Sequence, residues 1–540
     1  MTSTFAPPGP GEWTLDRSHY PGGVTPISEW LLVDGVERGL RRVFAELGVP
    51  AETMDFAFVN GFHYTRLRPL LGGDKPPRRP PPDLLLKVVT RIHPAFRERT
   101  RRAAAALRES PAPAVVERWE RELRPELLDT NRRLQAVDLD ACSDDELQRH
   151  VDELLDHLHE TFELHFWLHG YDLGPIAQYL DGALVWGLDA DDAIAALAGA
   201  SPTTAAPLEQ LCRLRELVEA ADDEVDSLDD VRAISAEAAA ELDTYLADRG
   251  HVLTTGYDLT DSTLIELPDV VLRSIRSARR APARDERHAA SLREQVPAPD
   301  RADFDERLAL ARSVMDLRDG NGPLTVEWPM GLLRLALLAA ADRLVERGRI
   351  DERDHLLVAT PDEASRLFTD GLPASEELAA RFERRRADLL ITPPPTLGDP
   401  EPQPPLELLP APIADSIRMT QVAIDHIGMG GAPRSGLRGS GIGSAPSRGV
   451  ACVADSAEDA IRRLDPGQVL VVRATSPAFN SVLAIAGAVV TVDGGVLSHA
   501  AVLARELGIP AVVGAPEAMT IPDGATVEVD PVDGEVRILV

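Results

Sequence analysis

The hydrophobic pattern divides the chain into a long helical part and a shorter α/β part. Up to about residue 410, apolar residues recur at helical spacing beneath charged faces, clearly so in residues 308–318, 331–347 and 376–390. After about residue 440 the pattern changes to short Val-rich segments separated by turns. These segments predict strands buried under helices, and they are RGVACV, QVLVVRA, AVVTVD, AVVG, TVEVD and EVRILV.

One helix start is marked strongly. The Ser143 hydroxyl can accept from the amide of Glu146 while that carboxylate reaches back, which is a capping box. An apolar stripe follows and runs into two histidines: Leu147, Val151, Leu154, Leu158, Phe162, His165 and His169. We expect this helix to end at Gly170.

His165 and His169 lie where the stripe predicts core residues, and this suggests a site. One turn apart, they could act as general base toward an acceptor hydroxyl. The alternative is a pair of core histidines with satisfied hydrogen bonds. Zinc is less favoured, because the spacing supplies two ligands and no third is encoded nearby. The sequence therefore predicts no metal site.

Proline and glycine mark the domain boundaries. Residues 393–412 are rich in proline, and residues 428–449 are rich in Gly, Ser and Arg, as in a flexible hinge. The predicted fold is multidomain: a mainly α-helical large domain of residues 1–410, a linker or hinge of residues 411–440, and a C-terminal α/β domain of residues 441–540.

Composition and charge exclude several classes of protein. The mixture of 44% hydrophobic and 27% charged residues is that of a folded globular protein. A formal charge of −32 argues against nucleic acid or an anionic membrane as partner. The three cysteines show no Cys-x-x-Cys spacing, and neither a signal pattern nor a membrane-length apolar run is present. We expect a cytoplasmic protein.

The segment from Gly494 to Pro510 carries the candidate chemistry. Gly494 and Gly495 end a strand and a helix begins near Ser498, so His499 lies in the first turn, where unpaired amides can hold a phosphoryl group. The positive helix end also favours a neutral, nucleophilic imidazole. Ser498 can cap the helix or bind the phosphate. The alternative for His499 is a polar residue at an exposed helix start.

Arg505 lies six residues after His499 and falls on another face of the helix. We therefore expect it to brace the domain or a docking surface, without contacting the phosphoryl group. Gly508 and Pro510 should end the helix.

The segment DGGVLSHAAVLARELGIPAVVG resembles the phosphohistidine loop of the phosphoenolpyruvate-utilising enzymes, which include pyruvate phosphate dikinase, phosphoenolpyruvate synthase and rifampin phosphotransferase. GIGSAPSRGVACV and PGQVLVVRATSPAF resemble the opening and the first long strand of their swivelling domain. The resemblance implies that His499 is phosphorylated and that its domain moves between an ATP site and an acceptor site. Ser498 departs from the frequent Thr or Cys but keeps a hydroxyl.

The large part resembles the acceptor-binding middle domain of rifampin phosphotransferase. The similarity rests on EWTLDRSHYPGGVTPIS, DRGHVLTTGYDLTDSTLIELPDVVL and ARSVMDLRDGNG. Tyr171, Asp258 and Arg318 follow or lie in family-like segments and are candidate pocket residues, with structural salt bridges and turns as the alternative. An ATP-grasp domain and a pyruvate-binding barrel have no room, and no Gly-rich loop accompanies Lys75 or Lys87.

The sequence thus predicts a phosphotransferase component. A separate ATP-grasp protein or subunit would phosphorylate His499, and this chain would deliver the group to an organic acceptor held by the helical domain. ATP and magnesium are expected on the partner, and no cofactor on this chain. Two alternatives stay open: a non-catalytic regulatory or binding protein that retains the mobile domain, and a phosphotransferase that uses phosphoenolpyruvate directly.

Overall fold

The structure is a computed structural model. It describes residues 5–16, 20, 23–71, 82–221, 225–254, 256–278, 286–400, 404–427, 436–475, 479–496 and 498–539. Lys75 lies outside the described residues. Backbone contacts divide the chain into two compact units. Unit 1 is Met1–Asp172, Tyr257–Asp261 and Asn321–Arg418; unit 2 is Leu173–Gly256, Ser262–Gly320 and Met419–Val540. The predicted division at residues 410 and 440 stays a prediction.

Helices account for most of the secondary structure in the described residues. The α-helices are α1 (Pro26–Leu47), α2 (Asp83–Ile92), α3 (Pro94–Arg108), α4 (Ala112–Arg118), α5 (Arg124–Gln135), α6 (Asp144–Val185), α7 (Ala190–Ala195), α8 (Pro202–Ala221), α9 (Leu228–Ile234), α10 (Ala236–Arg249), α11 (Pro268–Ser277), α12 (Glu286–Gln295), α13 (Arg301–Ser313), α14 (Met315–Gly322), α15 (Trp328–Glu346), α16 (Pro361–Ala364), α17 (Ser375–Asp388), α18 (Ala411–Ile427), α19 (Ala457–Arg463), α20 (Asn480–Leu483) and α21 (His499–Leu507). The strands are β1 (Trp13–Leu15), β2 (Ala51–Val59), β3 (Phe62–Pro69), β4 (Thr396–Leu397), β5 (Ser440–Ile442), β6 (Ser447–Val453), β7 (Val469–Val472), β8 (Ala488–Thr491), β9 (Ala511–Val513), β10 (Thr526–Asp530) and β11 (Glu535–Leu539).

Helices dominate the part of the chain before residue 410, which confirms the predicted fold class in outline. The structure adds an antiparallel sheet in unit 1, with strand order β2-β3-β1-β4, that the sequence analysis missed. The β2–β3 hairpin turns at Asn60 (φ 52°) and Gly61 (φ 80°), the left-handed pair that a tight hairpin turn needs. Strands β1 and β4 are only 3 and 2 residues long, too short to produce an alternating pattern.

Helix α6 begins as its sequence predicts. Glu146 N donates to Ser143 Oγ at 3.3 Å, and Ser143 N donates to the Glu146 carboxylate at 2.8 Å, so the capping box is present. The apolar stripe from Leu147 to Phe162 is buried. The predicted end at Gly170 is wrong, because the helix continues to Val185. A Cβ on Gly170 would lie 2.1 Å from Val43 Cγ2, so this glycine serves the close approach of α1.

The C-terminal part of unit 2 contains a sheet of order β11-β10-β6-β7-β8-β9-β5. Strands β6 to β9 pair in parallel, while β10, β11 and β5 pair antiparallel. The six predicted Val-rich strands are all present. Every residue of β7, β8 and β9 is buried. Alternate residues, Val469, Val471, Ala488, Val490 and Val512, belong to one hydrophobic core.

The region predicted as a linker is partly helical, because residues 411–427 form α18. Residues 428–435 lie outside the described residues.

One helical stretch, Ala298–Glu346, is long and apolar enough to cross a membrane, but 89% of its most apolar window is buried inside the protein. Core helices share this property, so the stretch is weak support for a membrane span.

Candidate functional site

The turn that precedes α21 depends on glycine. Strand β8 ends at Thr491, and Gly494 follows with φ 118°, a conformation that other residues rarely adopt. A Cβ at Gly494 would lie 2.9 Å from Ser498 Oγ. The carbonyl of Gly495 accepts from Ser498 N at 2.9 Å and closes the turn. Gly494 therefore lets the backbone pass close beneath the start of the helix.

Helix α21 is defined by a cap at each end. Ser498 is the N-cap, and its Oγ accepts from Ala501 N at 3.4 Å. His499 is the first helical residue, in the turn whose amides lack intrahelical acceptors. Gly508, with φ 64°, ends the helix in the left-handed conformation. The sequence predicted these ends correctly, and they place the histidine at the positive end of the helix dipole.

The imidazole of His499 is part-buried, and its Nδ1 lies 3.0 Å from Thr475 Oγ1. Burial, with the positive charge of Arg318 as the smaller cause, lowers the pKa of His499 to about 3. The ring is therefore neutral near pH 7, as a nucleophile must be. Thr475 was missed by the sequence analysis, although it lies in the family-like segment after β7 and that segment could have drawn attention to it.

Arg318 lies on α14 in unit 2, and two aspartates hold that helix against the start of α8. Asp316 Oδ1 accepts from Thr203 N at 2.9 Å, and Asp319 Oδ2 accepts from the Thr204 hydroxyl at 2.7 Å. Burial raises the pKa of Asp319, although the hydrogen bonds from Thr204 and Ser201 act in the opposite direction. These contacts fix α14 where the charge of Arg318 acts on His499.

Arg505 takes part in the local framework of α21. Its guanidinium donates to the carbonyl of Val496 and, at 3.5 Å, to that of Ala501. The first contact ties the glycine loop to the helix that follows. In this structure Arg505 thus contacts backbone, and its bracing role stays a prediction.

The other histidine pair, in unit 1, forms a chain of hydrogen bonds. His165 Nε2 and His169 Nε2 are 3.2 Å apart. His169 Nδ1 lies 2.9 Å from the buried carboxylate of Asp172, and His165 Nδ1 lies 3.0 Å from Thr325 Oγ1. Sequence reasoning found the histidines but missed both outer partners. Asp172 is three residues from His169, whereas Thr325 is 160 residues from His165 and no local signal points to it.

Tyr171 and Asp258 make contacts typical of structural residues. Tyr171 donates to the Glu46 carboxylate, and burial together with that carboxylate raises the pKa of Tyr171 above its usual range. Burial alone would raise the pKa of Asp258, but Arg385 and the Thr25 amide outweigh it and hold this pKa below the usual value. Thr25 N donates to Asp258 Oδ1 at 2.7 Å, and the Arg385 guanidinium donates to Asp258 Oδ2 at 3.0 Å.

Within the described residues, no group of three or more His, Cys, Asp or Glu side chains could hold a metal ion. The three cysteines, Cys142, Cys212 and Cys452, are free thiols.

Residues 464–534 match the family described as PEP-utilising enzyme, mobile domain. The match includes the glycine loop, α21 and β7 to β10, and it identifies this part of the chain as a mobile domain of the phosphoenolpyruvate-utilising enzymes. The family resemblance predicted from the sequence is confirmed.

Three relatives extend the comparison. The chain is 31% identical over 332 residues to chondramide synthase cmdD of Chondromyces crocatus, covering 56% of this chain and 8% of that protein. It is 30% identical over 209 residues to the uncharacterized phosphotransferase YvkC of Bacillus subtilis, and the match covers 38% of this chain and 24% of that protein. It is 46% identical over 79 residues to phosphoenolpyruvate synthase of Aeropyrum pernix, and this match covers 14% of this chain and 10% of that protein.

The chain thus spans less than a quarter of the length of each of these relatives. The family match and the phosphotransferase relative together support a phosphotransferase family. A solution structure of Enzyme I aligns at 16% sequence identity, and the alignment covers 44% of this chain and 65% of the Enzyme I chain. Its TM-score of 0.14 is too low to support a shared fold.

Proposed function

We propose that this chain is a phosphotransferase component that carries a phosphoryl group on His499 from an ATP-grasp partner to an organic acceptor. The observation that carries the proposal is the placement of His499. It is the first residue of a capped helix, directly after the glycine loop, and its Nδ1 lies 3.0 Å from Thr475 Oγ1. Burial, which lowers its pKa, agrees with a neutral ring. A neutral imidazole beside unpaired amides is suited to attack phosphorus and to hold the transferred group.

The expected transfer has two steps. In this proposal Thr475 Oγ1 accepts from Nδ1 and the lone pair lies on Nε2. Nε2 then forms the N–P bond as a P–O bond of the donor breaks. In the second step an acceptor oxygen forms a new P–O bond, the N–P bond breaks, and the acceptor proton passes to a base. The charge of Arg318 and the first-turn amides of α21 would stabilise the phosphoryl oxygens in both steps.

ATP and magnesium belong, in this proposal, to the partner. The support is that the chain has only two lysines, Lys75 and Lys87, and neither accompanies a Gly-rich phosphate-binding loop. The acceptor is a small or medium apolar molecule with a hydroxyl or carboxylate, held by the helical region. The reaction takes place in the cytoplasm.

The decisive experiment incubates the full chain with radiolabelled ATP and candidate ATP-grasp proteins. We expect label that is lost in acid and kept in alkali, as for phosphohistidine, and no label in His499→Ala. His159→Gln, a change of another part-buried histidine, is the matched control and should be labelled normally.

The donor is tested in a parallel arm with radiolabelled phosphoenolpyruvate. Label that appears from phosphoenolpyruvate without any partner would replace the ATP-grasp donor by a direct one. Absence of His499-dependent label with both donors would favour a non-catalytic binding or regulatory protein and would overturn the proposal.

A further inference from the structure

Unit 1 contains a cavity that the phosphotransferase proposal does not use. It is lined by residues 123–133, in and just before α5, and by residues 153–164 of α6. Its volume is about 360 Å³, and cavities of about 300–1,000 Å³ are typical of small-molecule sites. An ion pair joins the two helices in the lining, with Arg133 Nη1 2.6 Å from Glu153 Oε1. Three side chains give the α5–α6 cavity an apolar part, and they are Leu123, Leu127 and Leu164.

His157 lines this cavity, and its hydrogen bond fixes the position of its ring proton. Asn131 Nδ2 donates to the carbonyl of Leu324 at 2.9 Å, so Asn131 presents its Oδ1 to the ring. His157 Nε2 lies 3.0 Å from that oxygen and is therefore the donor. Burial, with the charge of Arg133 as a smaller cause, lowers the pKa of His157 to about 4. The ring is neutral near pH 7, and its lone pair lies on Nδ1.

The α5–α6 cavity offers hydrogen-bond acceptors to a ligand. No described residue donates a hydrogen bond to His157 Nδ1, and this atom is not sealed from solvent. Thr161 also lines the cavity, and its hydroxyl donates to the carbonyl of Leu158 at 3.3 Å. Since that contact uses the hydroxyl proton, the Thr161 oxygen can only accept. A ligand that fits here must therefore bring the donors.

The charges around the cavity favour a cation as that donor. Four carboxylates and one guanidinium line it, and they belong to Glu126, Glu153, Asp156, Glu160 and Arg133. Arg133 is paired with Glu153, whereas the other three carboxylates make no ion pair with any residue that the structure describes. An ammonium group brings hydrogen-bond donors together with the opposite charge, and an alkyl chain attached to it can cover the leucines.

A metal ion would also carry positive charge, but the lining does not suit one. Within the described ranges, no group of three or more His, Cys, Asp or Glu side chains could hold a metal ion. The leucines supply no ligand atoms and would be left uncovered. An amine with an apolar chain therefore accounts for more of the lining than a metal ion does.

We propose that the α5–α6 cavity binds a linear aliphatic amine, whose ammonium group donates to His157 Nδ1 and whose chain lies against the three leucines. Asp156 and Glu160 attract the cation from the exposed edge of the cavity. The proton stays on the amine, because an alkylamine binds protons far more tightly than this imidazole does. The inference goes beyond the proposed function and does not depend on His499.

The test measures binding of putrescine, butane-1,4-diamine, to the full chain by calorimetric titration at about 0.15 M salt. His157→Phe removes the acceptor nitrogen and should weaken binding by about tenfold or more. Asp156→Asn and Glu160→Gln should each weaken it by about two- to fivefold, as expected for exposed charges. These two side chains are exposed, so their variants keep the test valid if His157→Phe does not fold.

Asp129→Asn is the matched control, because Asp129 is an exposed carboxylate of α5 outside the cavity lining. It makes the same change of charge and should leave binding unchanged. Butane-1,4-diol, a neutral molecule of the same length, should bind at least about tenfold more weakly.

Three results would each overturn the inference. They are no binding of putrescine to the wild type, equal binding of the diol, and rim variants Asp156→Asn and Glu160→Gln that behave like Asp129→Asn. The last result would assign the binding to general attraction by an acidic chain. His499→Ala should bind putrescine normally, so amine binding and phosphoryl transfer can fail independently of each other.

Discussion

The candidate functional histidines lie on two helices, and different interactions position them. Helix α21 carries His499 as its first residue, and the loop, cap and stop that set its geometry all lie between Gly494 and Gly508. Helix α6 is 42 residues long and carries His165 and His169 near its middle. The partner of His165, Thr325, is 160 residues away in sequence. A histidine at a helix end can thus be set by its neighbours, whereas one inside a helix depends on the tertiary fold.

The electrostatics of the two places differ as well. Burial and the nearby cation Arg318 both disfavour protonation of His499, so this ring suits a nucleophile that must stay neutral. His169 instead lies beside the carboxylate of Asp172, with Nδ1 2.9 Å from Oδ2. The neighbouring charge thus has opposite sign at the two histidines.

The largest effect is expected from removing the hydroxyl that orients His499. Thr475→Val deletes the partner of Nδ1 at 3.0 Å while keeping the side-chain volume. The ring can then turn away from the attacking geometry, and we expect phosphorylation to slow by about a hundredfold. The measurement is the initial rate of acid-labile labelling. Thr475→Ser, which keeps the hydroxyl, should stay within a few-fold of wild type. An unchanged rate in Thr475→Val would show that the local cap alone positions the ring.

The second-largest effect is expected on stability, at the glycine in α6 that contacts α1. Gly170→Ala places a Cβ 2.1 Å from Val43 Cγ2, between two packed helices. Overpacking there should lower the free energy of unfolding by about 1–3 kcal/mol in a urea titration. Gly182→Ala is the control on the same helix. Its Cβ would meet only the ends of the Arg307 and Trp186 side chains, at 3.0 Å, which can shift. Because alanine favours a helix more than glycine does, Gly182→Ala should be neutral or slightly stabilising, and an equal loss in both variants would contradict the packing role of Gly170.

Gly170 also shows where prediction from sequence stops. Gly508 and Gly170 both follow a helical stretch, yet only Gly508 adopts a left-handed conformation and ends its helix. The difference is that Val43, on helix α1, packs closely against Gly170. The sequence around Gly170 gives no sign of this contact. Thr325 was missed for the same reason, whereas Asp172 lies only three residues from His169 and could have been found from local spacing. The short strands β1 and β4 were missed because 3 and 2 residues are too few for a detectable alternation.

What could be predicted was encoded locally. The strands β6 to β11 have Val-rich runs between turn residues, and α21 has its cap, dipole end and stop within one segment. The capping box of α6 spans only Ser143 to Glu146. The position of His499 therefore followed from the sequence. The state of its ring did not, because Thr475 and Arg318 come from other segments.

The third effect concerns pH. Because the pKa of His499 is lowered to about 3, its protonated form is disfavoured and the nucleophile should persist as pH falls. We expect labelling by phosphoramidate, corrected for the reagent's own pH dependence, to stay constant from about pH 8 to about pH 5, whereas an ordinary histidine loses its lone pair below about pH 6.5. Arg318→Gln removes the smaller of the two causes, so labelling should begin to decline at a higher pH. A decline near pH 6.5 in the wild type would contradict the buried, neutral ring.

The smallest effect compares the two serine caps. Ser143→Ala removes the capping box of α6, and Ser498→Ala removes the cap of α21, so each should cost about 1 kcal/mol in the free energy of unfolding. Only Ser498→Ala should also slow labelling, because only that cap sets the helix end that carries His499. Ser498→Thr keeps a hydroxyl and should restore both properties. If Ser143→Ala slowed labelling equally, the loss would follow from stability, and the local cap of α21 would have no separate part in presenting the nucleophile.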